Sequence, residues 1–93
     1  MYNELMDIEY DPVKVKSNLK KHGVSFEEAA TALYDPMALV QEDTDSIGEN
    51  RWIFIGLSSQ TNLLTVVYTL REEEIIRIIS ARKATRKEAE YYA

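Results

Sequence analysis

Between Arg51 and Ala81 the chain runs through three apolar, β-branched stretches, "RWIFIGL", "LLTVVYTL" and "EIIRIISA", separated only by short polar connections. Connections that short leave little room for a parallel crossover, so an antiparallel meander is the natural pairing of the three strands. Arg51–Leu57, Leu63–Leu70 and Glu74–Ala81 are therefore predicted as the centre of a sheet. "MALVQ" (37–41) adds a fourth strand. "MDIEY" (6–10), with Met6, Ile8 and Tyr10 alternating, adds one at the start of the chain. The strand middles are apolar on both faces, which predicts helices over one side and something else, such as a partner protein, over part of the other.

Three side-chain patterns mark helix starts, each by satisfying the orphan amides of a first turn. Asp11-Pro12 is an N-cap followed by proline at the first helical position; it opens "PVKVKSNLKKH", which Gly23 closes. Val13 or Val15 with Leu19 is the expected apolar stripe of this helix. Ser25 with Glu28 is a capping box opening "FEEAATALY", and Asp35-Pro36 ends it. Thr85 with Glu88 repeats the box and opens a final helix from Arg86 to about Tyr92. The resulting order is β-α-α-β-β-β-β-α, an α+β fold on a mostly antiparallel sheet, within the length of one domain (1–93).

The chain has no cysteine, which removes disulfide scaffolds, thiolate zinc sites and thiol nucleophiles together. No apolar run approaches the roughly 20 residues that span a bilayer, and "MYNELMDIEY" has neither a basic start nor an apolar core. A soluble, unexported protein of the reducing cytoplasm, without membrane partners, is the expectation. No Gly-rich phosphate loop, nucleophile elbow or metal-ligand spacing is present, so no cofactor and no metal are expected.

A net charge of −5 argues against an ordinary nucleic-acid binder, but the charges are segregated. Lys14 to His22 holds four lysines and no carboxylate, and Ile75 to Lys87 holds five cations and no carboxylate. The acids collect at Glu42, Asp43, Asp45 and Glu49, in a polar stretch that reads as a solvated loop.

Within the basic segments, His22 has two readings. A cation in the last turn suits the helix dipole, and "KHG" is an ordinary helix ending; alternatively, a group titrating near neutrality stands among cations, where it can bind or protonate a phosphate. Arg77 and Arg82 are five residues apart, so a regular strand would point them to opposite faces. They can share a site only if the strand ends or twists near Ala81. Arg82 is the stronger candidate for chemistry, because it lies where the strand runs into the last helix; Arg77 reads equally as an ion-pair residue. Lys83, Arg86 and Lys87 read as a solvated helix start, yet cations there oppose the dipole and hint at an anionic partner. Tyr91 and Tyr92 either stack on bases or close the edge of the core.

Taken together, "YDPVKVKSNLKKHGVSFEEAATALYDP", "GENRWIFIGLSS" and "RIISARKATRKEAEYY" resemble the BrnT family of type II toxins, over nearly the whole chain. The likeness rests on an aromatic-Asp-Pro start, an Asn-x-x-Lys-His-Gly helix end, the Ser-Phe-Glu-Glu-Ala box, Glu-x-Arg before a strand and Arg-x-Ile-Ser-Ala-Arg-x-Ala at a strand end. Tyr10 stands where tryptophan is usual, and "KEAEYY" where a more basic segment is expected. The resemblance implies a compact RelE-like fold and a metal-independent ribonuclease that inhibits translation. It also implies a cognate BrnA-like ribbon-helix-helix antitoxin, in a 2:2 complex that reaches operator DNA only through the antitoxin. Carried onto this sequence, it implies Arg51 and Arg82 as stabilisers of the phosphoryl charge and His22 as general acid or base. Lys21 becomes a phosphate anchor and Arg77 a further RNA contact; Lys83, Arg86 and Tyr91 join them as expected RNA contacts from the basic and aromatic end of the chain itself. The reading from a different class is a non-catalytic module whose basic face holds an acidic antitoxin segment and whose output is co-repression of its own operon.

Overall fold

The computed structural model describes residues 7–44, 48–72 and 74–92. The expected parts at Met6 and Asp45 lie outside these residues. Five strands and three helices follow in the order β1 (Asp7–Tyr10), α1 (Pro12–His22), α2 (Phe26–Ala32), β2 (Leu39–Asp43), β3 (Arg51–Leu57), β4 (Leu63–Arg71), β5 (Ile75–Lys83) and α3 (Arg86–Tyr92). This is the expected order. The strands form one sheet, β1-β5-β4-β3-β2, in which the meander β2 to β5 is antiparallel and β1 joins β5 in parallel.

The helix ends form as their residues dictate. The Asp11 carboxylate accepts from the Val13 amide at 2.9 Å, and Gly23 closes α1 at φ 70°, a left-handed conformation that a side chain would strain. Ser25 Oγ accepts from the Glu28 amide at 3.0 Å. Helix α2 stops at Ala32, two residues short of the expected end, in a turn that precedes Asp35-Pro36.

One face of the sheet packs under α1 and α2. Phe54, Leu64, Val66, Tyr68, Ile76, Ile78 and Ala81 from the strands meet Val24, Phe26, Ala29, Ala32 and Leu33. Burying each larger side chain contributes about 1.5–3 kcal/mol. Gly56 lets β3 pass close beneath α2: a Cβ there would stand 2.8 Å from the Ala32 carbonyl oxygen and closer still to the Phe54 ring. The expected stripe of α1 is corrected. Val13 (74% exposed) and Leu19 (51%) face outward, while Val15 packs on the core and Asn18 is the buried residue of the helix.

The opposite, outer face is partly covered by α3, so the cover that the sequence leaves open is in part internal. Thr65 and Arg82 of the outer face both bond Glu88 of this helix, and the Tyr92 hydroxyl donates to Asp35 in the turn before β2.

Candidate active site

The position of the arginines is decided by one irregularity in β5. Val67 pairs with Ser80 but Tyr68 pairs with Ile78, so Ile79 is an extra residue in β5 and the alternation of faces slips there. Burial shows the same slip: Ile76 and Ile78 point into the core, and so does Ala81. Arg77, before the bulge, and Arg82, after it, therefore lie on the same outer face. Arg77 pairs with Thr69, which pairs with Arg51, making one row across three strands. Arg82 pairs with Thr65, four residues along β4, or roughly 13 Å at strand rise. Three arginines widely spaced in sequence thus share one surface.

Each is held by a carboxylate. Arg82 donates from both terminal nitrogens to Glu88, Nη1 to Oε1 at 2.7 Å and Nη2 to Oε2 at 2.8 Å. Glu88 Oε1 also accepts from the Thr65 hydroxyl at 2.9 Å and the Thr85 amide at 2.8 Å. These bonds, the Arg82 pair foremost, hold the Glu88 carboxyl down to about 2 against the opposing effect of burial. At the other end of the face, Arg77 stands 3.8 Å from Glu9 and 3.9 Å from Asp11, and Arg71 grips Glu9 through Nε at 2.8 Å and Nη2 at 3.0 Å. The Arg71 hydrogen bonds hold Glu9 below its ordinary value. Arg51 donates to Glu49 at 3.1 Å. Arg71 is an addition to the sequence reading; continuing the period of two in β4 from Val67 and Thr69 would have found it.

Lys21 and His22 are brought to the same end of β5 from the helix side, by Asn18. Its carboxamide donates to the Ala81 carbonyl at 2.8 Å and to the Val24 carbonyl at 3.0 Å, and accepts from the Ala81 amide at 3.1 Å. The side chain so completes the edge of β5 beyond the last residue of β1, and it fastens the end of α1 beside the residue preceding Arg82. The signal in the sequence was a lone amide three residues after Val15, on the buried side of α1. Lys83 pairs with buried Leu64, which turns it toward this helix side as well.

The remaining candidates separate. Arg86 is exposed in the first turn of α3, and the anion that offsets the cations there is Glu88 of the same turn. Tyr91 is 64% exposed and lines a cleft of about 240 Å³ with Leu39, Gln41, Ile53 and Ile55. Tyr92 instead fastens α3. Burial pushes the Asp35 carboxyl up, but the Tyr92 hydroxyl and the Leu57 and Met37 amides outweigh it and hold the group below its ordinary value. Among the described residues no helix is long and apolar enough to cross a membrane.

One face thus carries three arginines set among carboxylates, and Lys21 and His22 stand on the opposite, helix side at the end of β5 that bears Arg82. The fold is similar to that of the Brucella abortus ribonuclease toxin BrnT, whose 1.1 Å crystal structure superposes with a TM-score of 0.67 at 25% identity, over 87% of this chain and 99% of that one. No curated protein sequence matches. The family model for the ribonuclease toxin BrnT of type II toxin-antitoxin systems matches residues 10–88, and the chain belongs to that family. It is accordingly an endoribonuclease toxin, and its class implies an RNA substrate and an antitoxin partner.

Proposed function

We propose that the protein cleaves RNA without a metal ion, by attack of a ribose 2′-hydroxyl on the adjacent phosphorus, leaving a 2′,3′-cyclic phosphate and a 5′-hydroxyl. The observation that carries this reading is the Ile79 bulge, which aligns Arg77 and Arg82 with Arg51 on one face. Arg82, held rigidly by Glu88, favours the extra negative charge of the phosphorane-like transition state, and Arg51 and Arg77, roughly 13 Å along the strands, take flanking phosphates. Lys21 anchors a phosphate, and His22, in the last turn of α1, exchanges the protons of the attacking and leaving oxygens. Arg77, Lys83, Arg86 and Tyr91 contact the flanking nucleotides.

Acting in the cytoplasm, the toxin would inhibit translation until a BrnA-like ribbon-helix-helix antitoxin covers its basic surface. A symmetric antitoxin dimer would carry two toxins in a 2:2 assembly, and operator DNA would be reached only through the antitoxin. The test is cleavage of RNA by the purified full-length chain with and without EDTA, with the product ends identified. Cleavage indifferent to EDTA and cyclic phosphate ends are expected; an absolute metal requirement or 3′-hydroxyl ends would sink the mechanism. Arg51→Ala, at a flanking phosphate, should chiefly raise KM, whereas Arg82→Ala should slow cleavage by about 10²–10³. His22→Gln should slow it by about 10²–10⁴ and alter the pH profile; a variant with full activity would return His22 to the role of a helix ending.

A further inference from the structure

The two terminal nitrogens of Arg82 are occupied by Glu88, and this raises a question for any role of Arg82 at a phosphate: the guanidinium is not a free cation. Three features define the contact. It is a two-point fork, which fixes the plane of the guanidinium as well as its position. Its carboxylate is itself held by Thr65 from the sheet and by the Thr85 amide from the helix cap, so Glu88 cannot swing aside with Arg82. And α3, which carries Glu88, is fastened at its far end by the Tyr92 bond to Asp35. The Nε–H of Arg82 takes no part in the fork and Nη2 keeps a second N–H, while Nη1 also reaches the Lys83 carbonyl at 3.4 Å.

We propose that Glu88 is a positioning residue for the ribonuclease reaction, locking the guanidinium of Arg82 so that its remaining N–H groups meet the phosphoryl oxygens in a fixed orientation. Glu88 does not act as the general base: a carboxylate whose Oε1 already accepts three hydrogen bonds and whose pKa lies at about 2 has little affinity for a proton at neutral pH. Its anion weakens the attraction of Arg82 for RNA in the ground state. In exchange the donors need no reorganisation when charge develops, which is where a fixed dipole gains over a mobile one. The role also explains an acid placed directly after the basic segment from Arg77 to Lys87.

This inference rests on the reading of Arg82 given above, and a double-mutant cycle on the full-length chain separates the two. The full-length chain, Glu88→Gln, Arg82→Ala and the double variant are compared by RNA cleavage kinetics, with circular dichroism confirming the fold. For Glu88→Gln, kcat should fall by about tenfold to a hundredfold while KM falls or stays level, because the guanidinium is released from its orientation but bears a less neutralised charge. In the Arg82→Ala background the same substitution should cost nothing further. An equal loss in both backgrounds, or an unchanged or increased kcat for Glu88→Gln, would overturn the positioning role. Full activity of Arg82→Ala would instead remove the reading of Arg82, whatever Glu88 does. Should Glu88→Gln fail to fold, Thr65→Val, nearly isosteric at a buried site, loosens Glu88 without touching the helix cap. A several-fold loss of kcat that vanishes with Arg82→Ala would then support the proposal, and no loss would overturn it.

Discussion

The chain contains the same four-residue helix opening twice, Ser25 to Glu28 and Thr85 to Glu88, and the two glutamates end in different places. At α3 the box closes: the Thr85 hydroxyl accepts from the Glu88 amide at 3.1 Å, and the Glu88 carboxylate returns to the Thr85 amide. At α2 only the first half forms. The Glu28 carboxylate turns away from Ser25 and accepts from Ser58 Oγ at 2.6 Å and Asn62 Nδ2 at 2.8 Å, in the turn joining β3 to β4. Glu28 is buried and staples a hairpin; Glu88 is half-buried and holds an arginine of the candidate site. An identical local motif therefore starts a helix in both cases, while the donors that tertiary folding brings within reach decide what the acid does afterwards.

The largest expected effect breaks the hairpin staple. Glu28→Ala leaves the buried Ser58 hydroxyl and the Asn62 amide without their acceptor, and should cost about 2–3 kcal/mol in urea unfolding. A loss near that of an exposed cap, about 1 kcal/mol, would mean that the turn reorganises around water.

Next in size is an acid dependence that belongs to Glu88. Its carboxyl lies at about 2 when folded against an ordinary value of 4.5, so the folded state prefers the ionised form. The resulting stability is fully present above pH 4.5 and is lost as the pH falls from there toward 2. With allowance for solvent around the 39% exposed Arg82 side chain, the loss should be on the order of 1–2 kcal/mol. Unfolding measured from pH 5 to pH 2.5 should therefore have a shallower slope in Glu88→Gln than in the unaltered chain; parallel slopes would show that other carboxylates dominate.

The smallest effect sharpens the comparison most. Ser25→Ala and Thr85→Ala each remove an N-cap hydroxyl and should cost about 1 kcal/mol. Only Thr85→Ala loosens the helix start that carries Glu88, so it alone should also lower kcat, by several-fold, with the folded fraction matched. Equal kinetics in the two variants would sever the link between the cap and Arg82.

Helix starts were legible because a cap is made within four residues, and the information for Asp11, Ser25 and Thr85 is complete in the local sequence. The meander was legible for a related reason: β-branched runs joined by short polar turns admit few other pairings. The candidate site was legible as residue types, Arg51, Arg77, Arg82, Lys21 and His22, but not as a surface. Sequence periodicity opposed Arg77 to Arg82, and the bulge that reunites them depends on how both faces of β5 pack, on Ile78 and Ala81 against the helices and on Arg82 toward α3.

What the sequence determined by itself was the order of elements and the concentration of cations in two segments, since propensity, capping and charge are properties of neighbouring residues. What the tertiary structure decided was partnership: Asn18 with Ala81, Glu28 with Ser58, Tyr92 with Asp35, and Glu88 with Arg82 through Thr65. A buried or half-buried polar group takes the nearest well-aligned donor or acceptor, and which group is nearest is known only once the sheet has brought distant segments together.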